Sequence, residues 1–275
     1  FGQNATIDVA NNGDTNFANV VLSSLTTNFG TVDFLPKQFQ LDKGVTKQDI
    51  LVILDKLIAA NLEFGNNNVE IKADAGNGVT STAIINVQKG FCSQGPQGGN
   101  LSIDSFDVTN DGNGDDDRWE LLDEVEVEFD VENLNNDDDV NDVFVELALY
   151  DEQGNNQADE LDFEEDDEEL DMGDIDSGEQ ETVRFRFRVP ADFDTVNYKL
   201  AVKAYSDDSG ENEECTDVFD SNKLFEEIIV DSVDKDDDEG KLIAFEDVVT
   251  NPIEATCGEP VTLSADVFNI GDNDQ

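Results

Sequence analysis

Between residues 123 and 151 the chain alternates apolar and polar positions. Val125, Val127, Phe129 and Val131 are interleaved with Glu126, Glu128 and Asp130. A period of two marks a strand with one buried face and one wet face. An acidic turn over residues 133–142 follows, and Val143, Val145, Leu147 and Leu149 resume the alternation. Strands joined by such turns predict an antiparallel β-sandwich, so the expected fold class is all-β.

The same pattern recurs towards both ends of the chain. Residues 1–90 predict a first sandwich domain. Its strands run around Ile7, around Val20 and Leu22, at Phe39 and Leu41, over 50–57, over 69–73 and over 82–87. The 50–57 run could also be read as a helix to residue 60, but its β-branched first half favours a strand. Gly76, Asn77 and Gly78 predict a hairpin turn. Residues 90–100 read as a linker by composition. Residues 91–233 predict a second, acidic sandwich domain, with strands over 101–108, 124–132, 143–151, 182–189, 198–205 and 224–230. The acidic stretch 155–174 predicts one or two short edge strands. A second linker is expected over 234–240. Residues 241–275 predict the first strands of a truncated third sandwich domain, too short a stretch to bury a core alone.

Short echoes support a duplicated array. The segment VANNGD from Val9 resembles VFNIGD from Val267, and VEN from Val131 sits at the same place in the middle domain. Each ends a strand with Asn, whose side chain can hydrogen-bond the turn it begins. A second echo links LDKG from Leu41 to IDSG from Ile175, each leading into an alternating strand.

Composition narrows the function. The net charge of −52 argues against nucleic-acid binding, which needs clustered Lys and Arg, and against an anionic membrane surface. No apolar run is long enough to span a bilayer as a helix. The chain starts at Phe1 without a signal-peptide pattern and is expected to be a segment of a longer protein. Positions 1–100 hold 9 acidic and 6 basic residues, a net of −3; positions 101–275 hold 58 and 9, a net of −49. Adaptation to molar salt would acidify every exposed surface, so this asymmetry points to a local role for the charge. His is absent, which removes the commonest general base and metal ligand.

The motifs VENLNND, GDIDSGEQETVRFRFRVP and YKLAVKAY resemble the CARDB-type, immunoglobulin-like domains of prokaryotic cell-surface proteins. They are most similar to surface-layer proteins of small-genome archaea. The resemblance is best over residues 90–230 and implies a sandwich fold and an extracellular, cell-surface location. It implies a frame of a Cys before the first strand, a Trp near the second and a late Cys, which Cys92, Trp119 and Cys215 match. In such a domain Cys92 and Cys215 fall at one end, so a disulfide is expected, contributing about 4 kcal/mol in the chain-entropy model; two free thiols are the alternative. Cys257 holds in the third segment the place of Cys92. Tyr198 falls where such domains carry a tyrosine corner. Asn4 and Asn100 open N-x-[ST] sequons and are candidate glycosylation sites.

Alternating oxygen donors in Gly- or Asn-rich loops can wrap a hard cation. Such sets occur at Asp111, Asn113, Asp115 and Asp117; at Asp137, Asp139 and Asn141; at Asp207, Ser209, Glu211 and Glu213; and at Asp234, Asp236 and Asp238. None completes the EF-hand pattern, which would need Glu where Leu122 stands. Solvated acidic loops are the alternative to calcium. In an immunoglobulin-like topology the first and last sets would share one end of the middle domain and the other two the opposite end, each at a domain junction. Arg184, Arg186 and Arg188 are expected to face Glu126, Glu128 and Asp130 across two paired strands; a binding patch for an anion is the alternative. The expectation is a non-enzymatic extracellular structural protein of a surface layer or similar array, possessing calcium sites and partnered by its own copies or other cell-surface proteins. The competing reading is an adhesin module for protein or glycan, which exposed aromatics on one sheet face would favour.

Overall fold

The computed structural model describes residues 4–25, 32–54, 62, 64–164, 167–220, 223–233, 242–251 and 262–271. The chain divides into two compact units, Phe1–Gly90 and Phe91–Gln275. The described residues form mainly antiparallel sheets with no α-helix; a single 3-10 turn spans Ala158–Glu160. The protein is all-β.

The first unit holds β1 (Asn4–Ala10), β2 (Phe17–Ser24), β3 (Val32–Leu35), β4 (Gln38–Leu41), β5 (Thr46–Leu54), β6 (Gly65–Asp74) and β7 (Thr80–Lys89). One sheet runs β1-β5-β3 and the other β4-β2-β6-β7. Leu22, Phe34, Ile50, Val52, Val69 and Ile71 fill the space between them. The apolar 50–57 run is strand through Leu54, and residues 55–61 lie outside the described residues. The β6–β7 turn closes with Val79 N–H donating to the Gly76 carbonyl at 3.0 Å. β3 was not expected. Its four residues are too few for alternation to stand out, and β5 supplies the hydrogen bonds that make it a strand.

The second unit holds β8 (Leu101–Asn110), β9 (Arg118–Glu120), β10 (Glu124–Asn133), β11 (Val140–Tyr150), β12 (Asp162–Phe163), β13 (Glu169–Ile175), β14 (Gln180–Arg188), β15 (Asn197–Ser206), β16 (Cys215–Thr216) and β17 (Glu226–Asp231). A sheet β12-β14-β10-β8 faces a sheet β13-β11-β15-β17-β9, with β16 beside β15. The short β17–β9 pairing is parallel, and the other pairings among the described strands are antiparallel. Phe129, Phe185, Phe187, Trp119, Leu147, Leu149 and Leu200 are fully buried between the layers. β12 and β13 are the edge strands that the acidic stretch predicted. The Tyr198 hydroxyl donates to the Asp194 carbonyl at 2.9 Å, tying the start of β15 to the preceding turn.

The sequence echoes meet in space. Asn133 is buried. Its Oδ1 accepts from Asn135 N–H at 2.9 Å and its Nδ2 donates to the Ile175 carbonyl at 3.0 Å. Asn11 does the same in the first unit, accepting from Gly13 N–H at 3.0 Å and donating to the Leu41 carbonyl at 3.2 Å. The backbone repeats as well. Gly178 N–H donates to Asn133 and Gly44 N–H to Asn11, while Asn133 N–H donates to Glu179 and Asn11 N–H to Val45. Each Asn is therefore a knot that fastens the end of one strand to the turn opening another, and the two echoes are its two halves.

β18 (Ile243–Asn251) and β19 (Thr262–Asn269) form a two-stranded sheet within the second unit. Asn269 again accepts from the N–H two residues on, Gly271, at 3.3 Å. The hairpin has the register of β8 on β10. Asn269 faces Ile243 as Asn133 faces Leu101, and one extra residue bulges out of β18 opposite 264–266, as one does out of β8 opposite 128–130.

Candidate functional site

The chemistry of this chain lies in its acidic loops, and three carboxylates organise them. Asp123 stands one step before β10, in phase with Val125, Val127 and Phe129, so the alternation turns it inward. It is buried. Its Oδ1 accepts from Asn113 N–H at 2.8 Å. Its Oδ2 accepts from Glu120 N–H at 2.8 Å, Gly114 N–H at 3.1 Å and Asn110 Nδ2 at 2.7 Å. The 111–117 loop thus wraps a carboxylate with inward-pointing N–H groups. That polarity is the reverse of a cation loop, which needs oxygens to converge. Gly112 follows from the same contact, because a Cβ there would overlap the Asp123 carboxylate.

Asp111, Asn113, Asp115 and Asp117 are exposed on the outside of this loop. Asp115 exchanges backbone hydrogen bonds with Arg118, and the Asp117 carbonyl accepts from Ile229 N–H at 3.0 Å. Arg118 reaches Asp231 at 2.5 Å, at the end of β17. Asp234, Asp236 and Asp238 lie outside the described residues, as does Cys257.

A second carboxylate assembly replaces the expected 90–100 linker. Cys92 and Cys215 are joined in a disulfide with Cα atoms 6.1 Å apart. Gln97 and Cys215 exchange backbone hydrogen bonds beside it. Buried Glu214 accepts through Oε1 from the N–H groups of Gly99 at 3.2 Å, Asn100 at 2.9 Å and Leu101 at 3.0 Å. Gly98, at φ +75°, leaves no room for a Cβ against that carboxylate. Buried Asp217 accepts through Oδ2 from Phe91 N–H at 2.5 Å and Cys92 N–H at 2.9 Å, and its Oδ1 is buried without a partner. Burial pushes the Asp217 carboxyl above its ordinary value, against the opposing pull of those two N–H groups and of Lys203. A segment rich in Gly and Gln reads as a linker because its partners are more than 110 residues away.

The remaining acidic sets touch but do not converge on one point. The Asp139 carboxylate accepts from Ser177 N–H at 2.9 Å, and Asp137 N–H donates to the Asn135 side chain at 3.0 Å. Asp207 N–H donates to the Asp142 carbonyl at 2.8 Å, and Ser206 Oγ to that of Asn141 at 2.8 Å, so the two loops share one end of the sandwich. Glu211 accepts from Ser93 N–H at 2.9 Å. Among the described residues no group of three or more Cys, Asp or Glu is placed to hold a metal ion.

β10 and β14 pair as the charge ladder requires. Glu126 faces Arg186 and Glu128 faces Arg184, each joined in an ion pair. The third rung differs from expectation. Asp130 faces Thr182 and accepts from its hydroxyl at 2.6 Å, while Arg188 faces Glu124 and reaches Asp162 on β12 at 3.3 Å. Asn4 opens β1; its side chain is outside the described ones. Asn100 is half-buried, its Nδ2 donating to Glu214 at 2.8 Å. On the outer face of the larger sheet Phe144 and Tyr205 stack at 5.8 Å, half-buried, and the Tyr205 hydroxyl donates to Glu169 at 2.8 Å.

No family model and no curated protein matches this chain. Among solved structures it is similar to BcpA, the major pilin subunit of Bacillus cereus. The TM-score is 0.29 and the identity 10%, over 98% of this chain and 85% of that one. A likeness of that size carries no argument, and the fold rests on the strand pairing itself.

Proposed function

We propose that this chain is a segment of an extracellular structural protein, a component of a surface layer or similar cell-surface array of CARDB-type domains. The carrying observation is the knot at Asn11 and Asn133, repeated bond for bond in two successive units. Repeated sandwiches serve as spacers whose length is set by repeat number, and their stability is a sum over repeats. The Cys92–Cys215 disulfide supports an oxidising compartment. The third hairpin, in the register of β8 on β10, supports the beginning of a further domain at 241–275. Calcium at the acidic junctions belongs to this proposal on charge alone. Gold-labelled antibody against residues 91–233 tests the location. Labelling of intact cells in a regular pattern is expected, and labelling only after lysis would overturn the reading.

One observation favours an adhesin module instead, the Phe144–Tyr205 stack on an outer sheet face. Binding to immobilised glycans that Tyr205→Ala abolishes would select that reading.

A further inference from the structure

Three Asn-Gly steps occur in the chain, at Asn12–Gly13, Asn77–Gly78 and Asn113–Gly114. Such a step can react with itself. Gly carries no Cβ, so its peptide nitrogen can approach the side-chain amide carbon of the Asn before it. Exposure does not separate the three, because Asn12, Asn77 and Asn113 are all exposed. The glycine N–H does, because its nitrogen is the group that must attack.

At two of the steps that nitrogen is held. Gly13 N–H donates to the Asn11 side chain at 3.0 Å, inside the knot. Asn11 is itself buried and fixed by the Thr15 and Leu41 carbonyls. Gly114 N–H donates to the buried Asp123 carboxylate at 3.1 Å, and Asn113 N–H donates to its other oxygen at 2.8 Å. The backbone is thus fastened on both sides of the Asn113 side chain. Asp115, Asp116 and Asp117 follow directly, and their negative charge opposes loss of a proton from the Gly114 nitrogen.

The third step is the tip of the β6–β7 hairpin. Gly76, Asn77 and Gly78 stand at φ +81°, +53° and +79°, the left-handed conformation of a tight hairpin turn. Val79 N–H donates to the Gly76 carbonyl and Ala75 N–H to the Val79 carbonyl, each at 3.0 Å. Gly78 N–H has no hydrogen-bond partner among the described residues. A Cβ built at Gly76 or Gly78 would meet nothing within 4 Å, so the step stands in open space. Asp74, at the end of β6, is paired with Lys72 at 3.2 Å.

We propose that Asn77 is a site of spontaneous modification in the folded protein, and that the fold protects Asn12 and Asn113 from the same reaction. The Gly78 nitrogen loses its proton to hydroxide and bonds to Cγ of Asn77. The Cγ–Nδ2 bond breaks, and the nitrogen takes a proton from water and leaves as ammonia. Water then opens the cyclic imide at either carbonyl. One opening leaves an aspartate at position 77, and the other leaves an isoaspartate whose backbone runs through the former side chain. The net reaction is amide plus water to acid plus ammonia, with no change of oxidation state. Isoaspartate adds a carbon to a turn that has only Asn77 and Gly78 between its hydrogen-bonded ends, so the bond from Val79 N–H to Gly76 is lost. The proposal rests on the three glycine N–H groups and not on cell-surface location, so either can fail without the other.

The test ages the whole chain at mildly alkaline pH in molar sodium chloride and maps its peptides by mass spectrometry. Asn77 is expected to convert about tenfold or more faster than Asn12 and Asn113, whose glycine N–H must first leave a side-chain acceptor. In concentrated guanidinium chloride that advantage is expected to collapse. Hydrogen exchange at Val79 is expected to be faster in the aged isoaspartate fraction than in an Asn77→Asp variant, which has the charge without the added backbone carbon. Conversion at Asn77 no faster than at Asn12 or Asn113 in the folded chain would overturn the proposal. So would the same ratio of rates in the folded and unfolded chains, which would assign the rates to local sequence, or Val79 exchange equal to that of the variant.

Discussion

Asp217 is a carboxyl held where its charge is costly. One oxygen takes two backbone N–H groups and the other is buried without a partner. Its folded-state pKa is raised by burial above the ordinary 3.8. A raised acid binds its proton more tightly in the folded state. Its contribution to stability is therefore full below the ordinary carboxylate range and is lost as pH rises through the folded value. Asp217→Asn keeps an oxygen for Phe91 and Cys92 and removes the charge. The variant is expected to melt above the wild type at pH 7, by roughly 2–4 °C for each kcal/mol relieved. The gap should close as pH falls below the ordinary value, where both chains are neutral at this position. Calorimetry of the two proteins across that range checks it, and a gap independent of pH would refute the assignment. The unpartnered oxygen is particular to Asp217 among the three buried carboxylates, since both oxygens of Asp123 and of Glu214 accept hydrogen bonds.

At the scale of elements, β14 divides into two faces of unequal worth. Arg184 and Arg186 make exposed pairs with β10, each contributing about 0–1 kcal/mol and less in salt. Phe185 and Phe187, between and beyond them, are fully buried, and truncating such a ring costs about 3–5 kcal/mol. Arg186→Ala is therefore expected to change the melting temperature little, and that change to shrink further in molar salt. Phe185→Ala should lower it sharply at any ionic strength. Melting curves at two salt concentrations measure both. A large, salt-insensitive loss from Arg186→Ala would mean that the ladder holds the sheet together and the rings do not.

Over the whole molecule the charge is the dominant fact. A net of −49 over positions 101–275 (58 acidic, 9 basic) repels itself at low ionic strength, while the net of −3 (9 acidic, 6 basic) over positions 1–100 does not. Lowering the salt is expected to destabilise the second unit and leave the first nearly unchanged, which hydrogen exchange resolves region by region. Calcium separates screening from site binding. If the proposed junction sites exist, millimolar calcium raises the melting temperature even in molar sodium chloride. A rise only at low salt would assign the acidic loops to screening alone.

The strands, their facing and the duplication could be read from the chain, because alternation and the Asn-centred echoes are local patterns. Val125 to Val131 announce β10 without reference to anything else. The Asn at the end of each repeat signalled its turn before its partner at Leu41 or Ile175 was known. The acidic loops could not be read the same way. The sequence DGNGDDD suggests oxygens turned inward, yet the loop turns its N–H groups inward around Asp123, whose only signal was a charged residue in phase with buried ones. Glu214 and Asp217 hold a segment that composition presents as a linker, across more than 110 residues of chain. β3, β9 and β16 are strands only because a neighbour completes their hydrogen bonds. Periodicity records which face of a strand is dry. Whether a carboxylate meets water, a cation or a backbone amide depends on groups distant in sequence, and tertiary packing alone brings them together.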